Sequence, residues 1–178
     1  MAHGFVVQSR MAALNIDSFN RNAINKTVDL DNGWVVRLDT QADAYASGLY
    51  NEVWTATQPA TGTLGALWQV RSPEAVLVNG LWDGDPREFY NPMDKVFDVT
   101  YLQPKDVFVM TADALAGTMG TNKWIIAVNG AWKLTWAAAP VATAFGARLL
   151  QATTIPGSVG GIVAYKFEVV YNPEDAIA

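Results

Sequence analysis

The chain contains no cysteine, and its single histidine is His3. Without thiols there are no disulfides, no thiolate zinc sites and no cysteine nucleophile. A Ser-His-Asp triad or a histidine-based metal centre needs its imidazole in the folded core, and His3 sits in a segment that reads as an arm. Charge is also scarce: only 16% of the 178 residues are charged and the net charge is −5. No Lys/Arg cluster is present, so nothing forms the basic stripe that neutralises phosphates, and nucleic acid is not an expected partner. No apolar run reaches the roughly eighteen residues of a membrane-spanning helix, so no membrane partner is expected either. The opening MAHGFVVQSRMAALNIDSF has no charged n-region, and Gln8, Ser9 and Arg10 interrupt its apolar residues, so a cleaved secretory leader is not expected. These absences disfavour most enzyme classes and predict a protein without cofactor or metal.

What is present is apolar area and turn chemistry. About half the residues are hydrophobic (51%), enough for a filled core in one domain. A surface so thinly charged is covered either by Thr, Asn, Gln and Ser or by partner molecules. Residues 1–30 hold Asn15, Asn20, Asn22 and Asn25 and no sustained period, with room for a short helix over Val6–Leu14. They read as an N-terminal arm that orders on assembly, ahead of a β domain over 31–178.

From Asp31 onward the punctuation is that of a β protein. Asn-Gly recurs at Asn32-Gly33, Asn79-Gly80 and Asn129-Gly130, each suited to a type I′ turn. Runs rich in β-branched and aromatic residues accompany them: 34-WVVRL-38, 52-EVWTAT-57, 66-ALWQV-70, 75-AVLV-78, 96-VFDVTYL-102, 107-VFVMT-111, 123-KWIIAV-128, 131-AWKLTW-136 and 162-IVAYKFEVVY-171. Short strands at this spacing predict an all-β fold, a single β-sandwich or barrel-like domain. In 162–171, Tyr165, Phe167, Val169 and Tyr171 share one face, and Ala164, Lys166, Glu168 and Val170 the other, wet one. A two-residue turn at Asn129-Gly130 would pair Trp124 with Thr135 and Ile126 with Lys133. It would leave Ile125, Ala127, Trp132, Leu134 and Trp136 on one face. The other face, with Trp124, Ile126 and Val128, is still too apolar for a solvent-exposed hairpin. It is covered within the fold or meets a partner.

The stretch 80-GLWDGDPREFY-90 crowds Asp83, Asp85, Glu88 and Arg87 among Trp82, Phe89 and Tyr90. A glycosidase needs two carboxylates held across a sugar with their pKa values pushed apart; adjacency along the chain does not provide that. Asp-Gly-Asp also lacks the ligand spacing of a calcium loop. The plain reading is a turn whose carboxylates accept backbone N–H bonds. Of the seven tryptophans, Trp34, Trp54, Trp68, Trp124, Trp132 and Trp136 fall in strand patterns that suit core packing. Trp82, Phe89 and Tyr90 fall in a loop. With Arg87 they match the composition of an interface hot spot. Glycine-rich 117-GTMGTNK-123 lacks phosphate-loop spacing.

In their order, 31-DNGWVVRLDT-40, 52-EVWTATQPATGTLGALWQVRSPEAV-76, 105-KDVFVMTADALAG-117, 128-VNGAWKLTWAA-138 and 164-AYKFEVVYN-172 resemble the head decoration, or cement, proteins encoded beside the major capsid protein in tailed bacteriophages. The shared pattern is an early NG-x-V-V-x-L strand, an S-P-E segment, a D-V/I-x-x-x-T strand and a late NG-x-x-K-L hairpin. This resemblance implies a non-enzymatic virion protein on the outer capsid surface, made in the host cytoplasm, that bridges capsid subunits. Its partners would be the major capsid protein and further copies of itself, with a trimer favoured. Trp82, Arg87, Phe89, Tyr90 and Trp124 are then the expected contact residues. Two other classes stand beside it: a carbohydrate-binding module or phage fibre element with exposed aromatics, and, last, a carboxylate-dependent hydrolase.

Overall fold

The computed structural model describes residues 3–42, 52–60, 66–71, 77–78, 81–82, 89–141, 145–155 and 161–173. It is all-β, as the strand patterns predict. Among the described residues fourteen strands follow in chain order: β1 (Val6–Arg10), β2 (Asn20–Ile24), β3 (Val35–Gln41), β4 (Val53–Thr57), β5 (Trp68–Val70), β6 (Leu77–Val78), β7 (Leu81–Trp82), β8 (Val96–Tyr101), β9 (Val107–Thr111), β10 (Leu115–Ala116), β11 (Trp124–Ile126), β12 (Leu134–Ala137), β13 (Gly146–Ile155) and β14 (Ile162–Tyr171). Five of them close a barrel in the order β2-β4-β3-β5-β8, and seven form a sheet in the order β1-β9-β14-β13-β11-β12-β10. The remaining pair, β6-β7, is a separate small hairpin.

The barrel packs on the sheet through strands buried on both faces. In β3, Val36 turns into the barrel core with Leu38 packed against it, while Val35 belongs to the core beneath the sheet. In β5, Val70 faces the barrel and Gln69, fully buried, faces the other way; Leu67 just before it joins the sheet core. Val99 and Leu102 divide in the same way at β8. A strand that must satisfy two cores loses the alternation of apolar and polar residues, which is why 34-WVVRL-38 and 66-ALWQV-70 read as nearly continuous apolar runs. Polar atoms seal the seam: Gln8 Nε2 donates to Gln69 Oε1 (3.2 Å), Gln69 Nε2 reaches Met110 Sδ (3.7 Å), and Thr100 Oγ1 donates to Gln8 Oε1 (3.4 Å).

Residues 3–30, read above as part of an arm, pair with the rest of the chain in this structure. Residues 6–10 form an edge strand against β9, and 20–24 pair with both β4 and β8 inside the barrel. Phe5, Val6, Met11, Ala13, Ala23, Ile24 and Leu30 are buried. No helix spans Val6–Leu14; β1 is followed by a single 3-10 turn, Ala12–Leu14. Backbone donors decide the matter: Gly4 N bonds Asp31 Oδ2 (2.9 Å), Phe5 N bonds Thr111 Oγ1 (3.0 Å) and Ala12 N bonds Asp106 Oδ1 (2.8 Å). His3, expected in that arm, lies with Nδ1 2.7 Å from Asp31 Oδ1. A carboxylate only accepts, so in this contact Nδ1 is the donor.

Turns form at two of the Asn-Gly sites, but not as type I′. Trp34 N bonds Asp31 O (3.3 Å) and Ala131 N bonds Val128 O (3.1 Å). Gly33 (φ +91°) and Gly130 (φ +69°) have positive φ, whereas Asn32 and Asn129 do not. A type I′ turn needs both central residues there; positive φ at the second alone is the type II pattern. At the third site Val78 pairs with Leu81, as a two-residue connection requires; residues 79–80 lie outside the described residues.

The 123–136 hairpin is displaced by two residues from its expected register: Trp124 pairs with Ala137, Ile125 with Trp136 and Ile126 with Thr135. A shift of two preserves the faces, so Ile125, Ala127, Leu134 and Trp136 still share the sheet core. Trp132 leaves that face. Its carbonyl accepts Val35 N (2.9 Å), and its side chain packs on the barrel core. In β14, Phe167 and Val169 are buried and Tyr165 packs on the same core, as expected. Tyr171, at the strand end, is exposed instead, and Ala164, assigned to the wet face, is buried. Glu168 on the wet face pairs with cross-strand Arg148 (2.8 Å).

Candidate functional site

The residues singled out in 80–92 divide into three kinds. Trp82 belongs to β7, opposite Leu77, and not to a loop. Arg87 lies outside the described residues, as do Asp83, Asp85 and Glu88. Phe89 is half-buried and Tyr90 exposed. Trp124, the fifth candidate, is half-buried in β11 between β12 and β13. It faces away from the sheet core that its neighbour Ile125 enters. The structure thus places Phe89 and Tyr90 together at the barrel and Trp124 on the sheet.

Tyr90 has partners that sequence reasoning missed. Its ring stacks on His3 (centroids 5.0 Å apart, planes at 27°), and His3 is held by Asp31. Behind it, residues 25–32 and 89–96 clamp each other. Leu30 and Asn91 exchange two backbone bonds (2.9 and 2.8 Å), and buried Asn91 also donates to Leu30 O and Asn32 Oδ1. Asp29 Oδ1 accepts Met93 N (2.8 Å), and Asn25 O accepts Asp94 N (2.9 Å). The Asn25 side chain accepts from Thr27 N and Val28 N and donates to Ala56 O, the local turn chemistry of a buried asparagine. These two clamped segments expose Val28, Tyr90, Met93 and Val96. Phe89 and Val96 also border a shallow hollow of about 280 Å³ over Phe97.

A larger cleft, about 610 Å³, opens where β2, β4 and β8 meet. Arg21 of β2 shares a face with Ala23 of the barrel core. Its guanidinium lies 4.5 Å from the Trp54 ring and 5.2 Å from that of Trp68. Such contacts hold a guanidinium by the ring quadrupole and leave its in-plane N–H groups for other acceptors. Around it the cleft carries the carboxylates of Asp17, Glu52 and Asp98, the amides of Asn20, Asn22 and Gln41, and a second guanidinium, Arg71. Asp98 is exposed by area, yet partial desolvation in the cleft pushes its carboxyl above the usual aspartate range, with Arg71 nearby pulling it down. The sequence signal for this cleft was slight: Asn20, Arg21 and Asn22 are polar residues in what looked like an arm, and Trp54 looked like core.

Among the described residues no group of three His, Asp or Glu side chains is arranged to hold a metal ion. No helix among them is long and apolar enough to cross a membrane. No known protein family, no curated protein and no solved structure matches the chain.

Proposed function

We propose that the protein is a non-enzymatic head decoration protein that binds the outer capsid surface of a tailed phage and bridges major capsid subunits. The ordered series of motifs over residues 30–172 motivates the role. The clamped pair of segments carrying Tyr90, Met93, Val96 and Val28 is the observation that carries it to a surface. Apolar side chains on a backbone already fixed by hydrogen bonds dock with little further loss of conformational entropy. Phe89 borders this rim, and Trp82 and Arg87 remain expected contact residues from the sequence, Arg87 lying outside the described residues. Capsid subunits bridged by buried aromatic area resist the outward load of packaged DNA, and no turnover or cofactor is needed.

The test is co-sedimentation with shells assembled from the major capsid protein of the same phage genome. Wild-type protein binds with saturating stoichiometry. A Tyr90→Ala, Met93→Ser variant loses about 2 kcal/mol or more, roughly thirtyfold in affinity, while its free melting temperature stays near that of wild type. Shells that bind no protein, or bind the variant equally well, overturn the reading.

A further inference from the structure

We propose that the cleft between β2, β4 and β8 binds a neutral oligosaccharide, independently of the docking surface above. The lining is rich in unused hydrogen-bonding capacity. Among the described residues the side chains of Arg21, Asn22, Gln41, Glu52, Arg71 and Asp98 make no hydrogen bond or ion pair. Asn20 alone is engaged, donating to Ala13 O (2.6 Å) and leaving its carbonyl oxygen. Opposite charges thus line one cleft without a direct hydrogen bond between them, although Arg71 acts on Asp98 through space, an arrangement suited to a ligand that satisfies both.

Charge selects the class of that ligand. A phosphate or polyanion would meet Asp17, Glu52 and Asp98; a cation would meet Arg21 and Arg71. A ligand of either sign therefore gains from some groups what it loses to others. Sugar hydroxyls both donate and accept, so each can give its proton to a carboxylate and receive one from a guanidinium or amide N–H. Hydrogen bonds to ionised partners are the stronger kind, and here they form without burying a net ligand charge. Trp54 lines the cleft with one ring face held by Arg21, and its remaining carbon surface is what the C–H face of a pyranose would cover. Arg21, fixed against two indoles, is a pre-oriented donor fork, which lowers the ordering cost of binding. The volume, about 610 Å³, lies within the range of small-molecule sites.

The full chain is applied to a glycan array carrying neutral, sialylated and sulfated oligosaccharides, and the best neutral hit is titrated calorimetrically. The expected result is binding to one neutral glycan class. Glu52→Gln and Asn22→Ala, both at exposed positions, each weaken it about tenfold, the loss of one strong hydrogen bond, with unchanged melting temperature. Trp54→Ala abolishes it, and the two exposed polar variants keep the test valid should Trp54→Ala fail to fold. Tyr90→Ala binds the glycan as wild type does, which separates this site from the capsid surface. Binding confined to acidic glycans, no binding at all, or full affinity in both polar variants overturns the proposal.

Discussion

The two β regions of this chain are built from different materials. The core beneath the seven-stranded sheet holds Phe108, Phe145, Phe167, Met110, Ile125 and Leu134, all fully buried, and Trp136 packs edge-on against Tyr165. The barrel core holds mostly small side chains, Ala23, Ala56, Val36, Val70 and Val99, with Leu30 and Phe97. Its large residues, Trp34, Trp68 and Trp132, are only half-buried around it. Five strands leave a narrow interior, so bulky groups are displaced to its ends. Burial is therefore concentrated under the sheet. The barrel region carries both the polar cleft and the clamped apolar rim, where side chains are committed to neither core.

The largest expected effect comes from cutting the sheet's edge. Deleting residues 1–10 removes β1 and the burial of Phe5 and Val6. At about 1.5–3 kcal/mol per buried side chain this costs about 3–6 kcal/mol, or roughly 10–20 °C in melting temperature for a chain of this size. Calorimetry reads it directly. A shift within about 2 °C would restore the segment to an arm and leave the sheet stable without it.

A smaller effect tests the tie between the regions. Asn172, just past β14, accepts Leu67 N (3.0 Å) and donates to Leu67 O (3.0 Å) and Leu102 O (2.6 Å), joining the sheet to the ends of β5 and β8. Asn172→Ala removes these three bonds, leaving Leu67 N without this acceptor, and should cost about 1–3 kcal/mol. If the tie makes one cooperative unit, the variant melts in a single, lower transition. Two resolved transitions would show that sheet and barrel unfold separately.

The smallest effect is electrostatic. Asp106, buried between the regions, accepts Ala12 N and Gln103 N (both 2.8 Å). Burial pushes its carboxyl above the usual aspartate range, and those two hydrogen bonds only partly offset this. A carboxyl with a raised folded pKa holds its proton more tightly in the folded state. Its contribution is therefore full below the unfolded aspartate range and is lost as pH rises through the folded value. In urea unfolding across acidic pH, wild type should lose stability relative to Asp106→Asn over that interval. Parallel curves would mean that Asp106 titrates alike in both states.

Strands with strong local patterning were legible. β9 is found at 107–111 and β14 at 162–171, as their β-branched and aromatic alternation predicts. β13 was not, because GARLLQATTI has no clean alternation. It carries a bulge between Leu149 and Gln151 and exposes Leu150, and it becomes a strand through pairing with β14 and β11. β1 and β2 were hidden for a related reason: VVQSR and NRNAI are polar where they meet solvent or the cleft. Of the surface invoked in the proposed function, the sequence singles out Phe89 and Tyr90 but not Val28, Met93 or Val96. The cleft residues, from Asp17 to Asp98, come from separate strands and turns, and no local motif links them.

What the sequence determined by itself is local: an all-β chain, turns at Gly33 and Gly130, which face of Phe167 and Val169 is apolar, and the absence of thiol chemistry. Each follows from side-chain shape and backbone preference within a few residues. Only the tertiary structure decided which core each face of a doubly buried strand enters, as with Val35 and Val36. It also decided that the first thirty residues join both regions, and that Arg21 rests between Trp54 and Trp68. Those outcomes depend on competition between distant segments for the same buried area and the same backbone hydrogen bonds, and neither is visible along the chain.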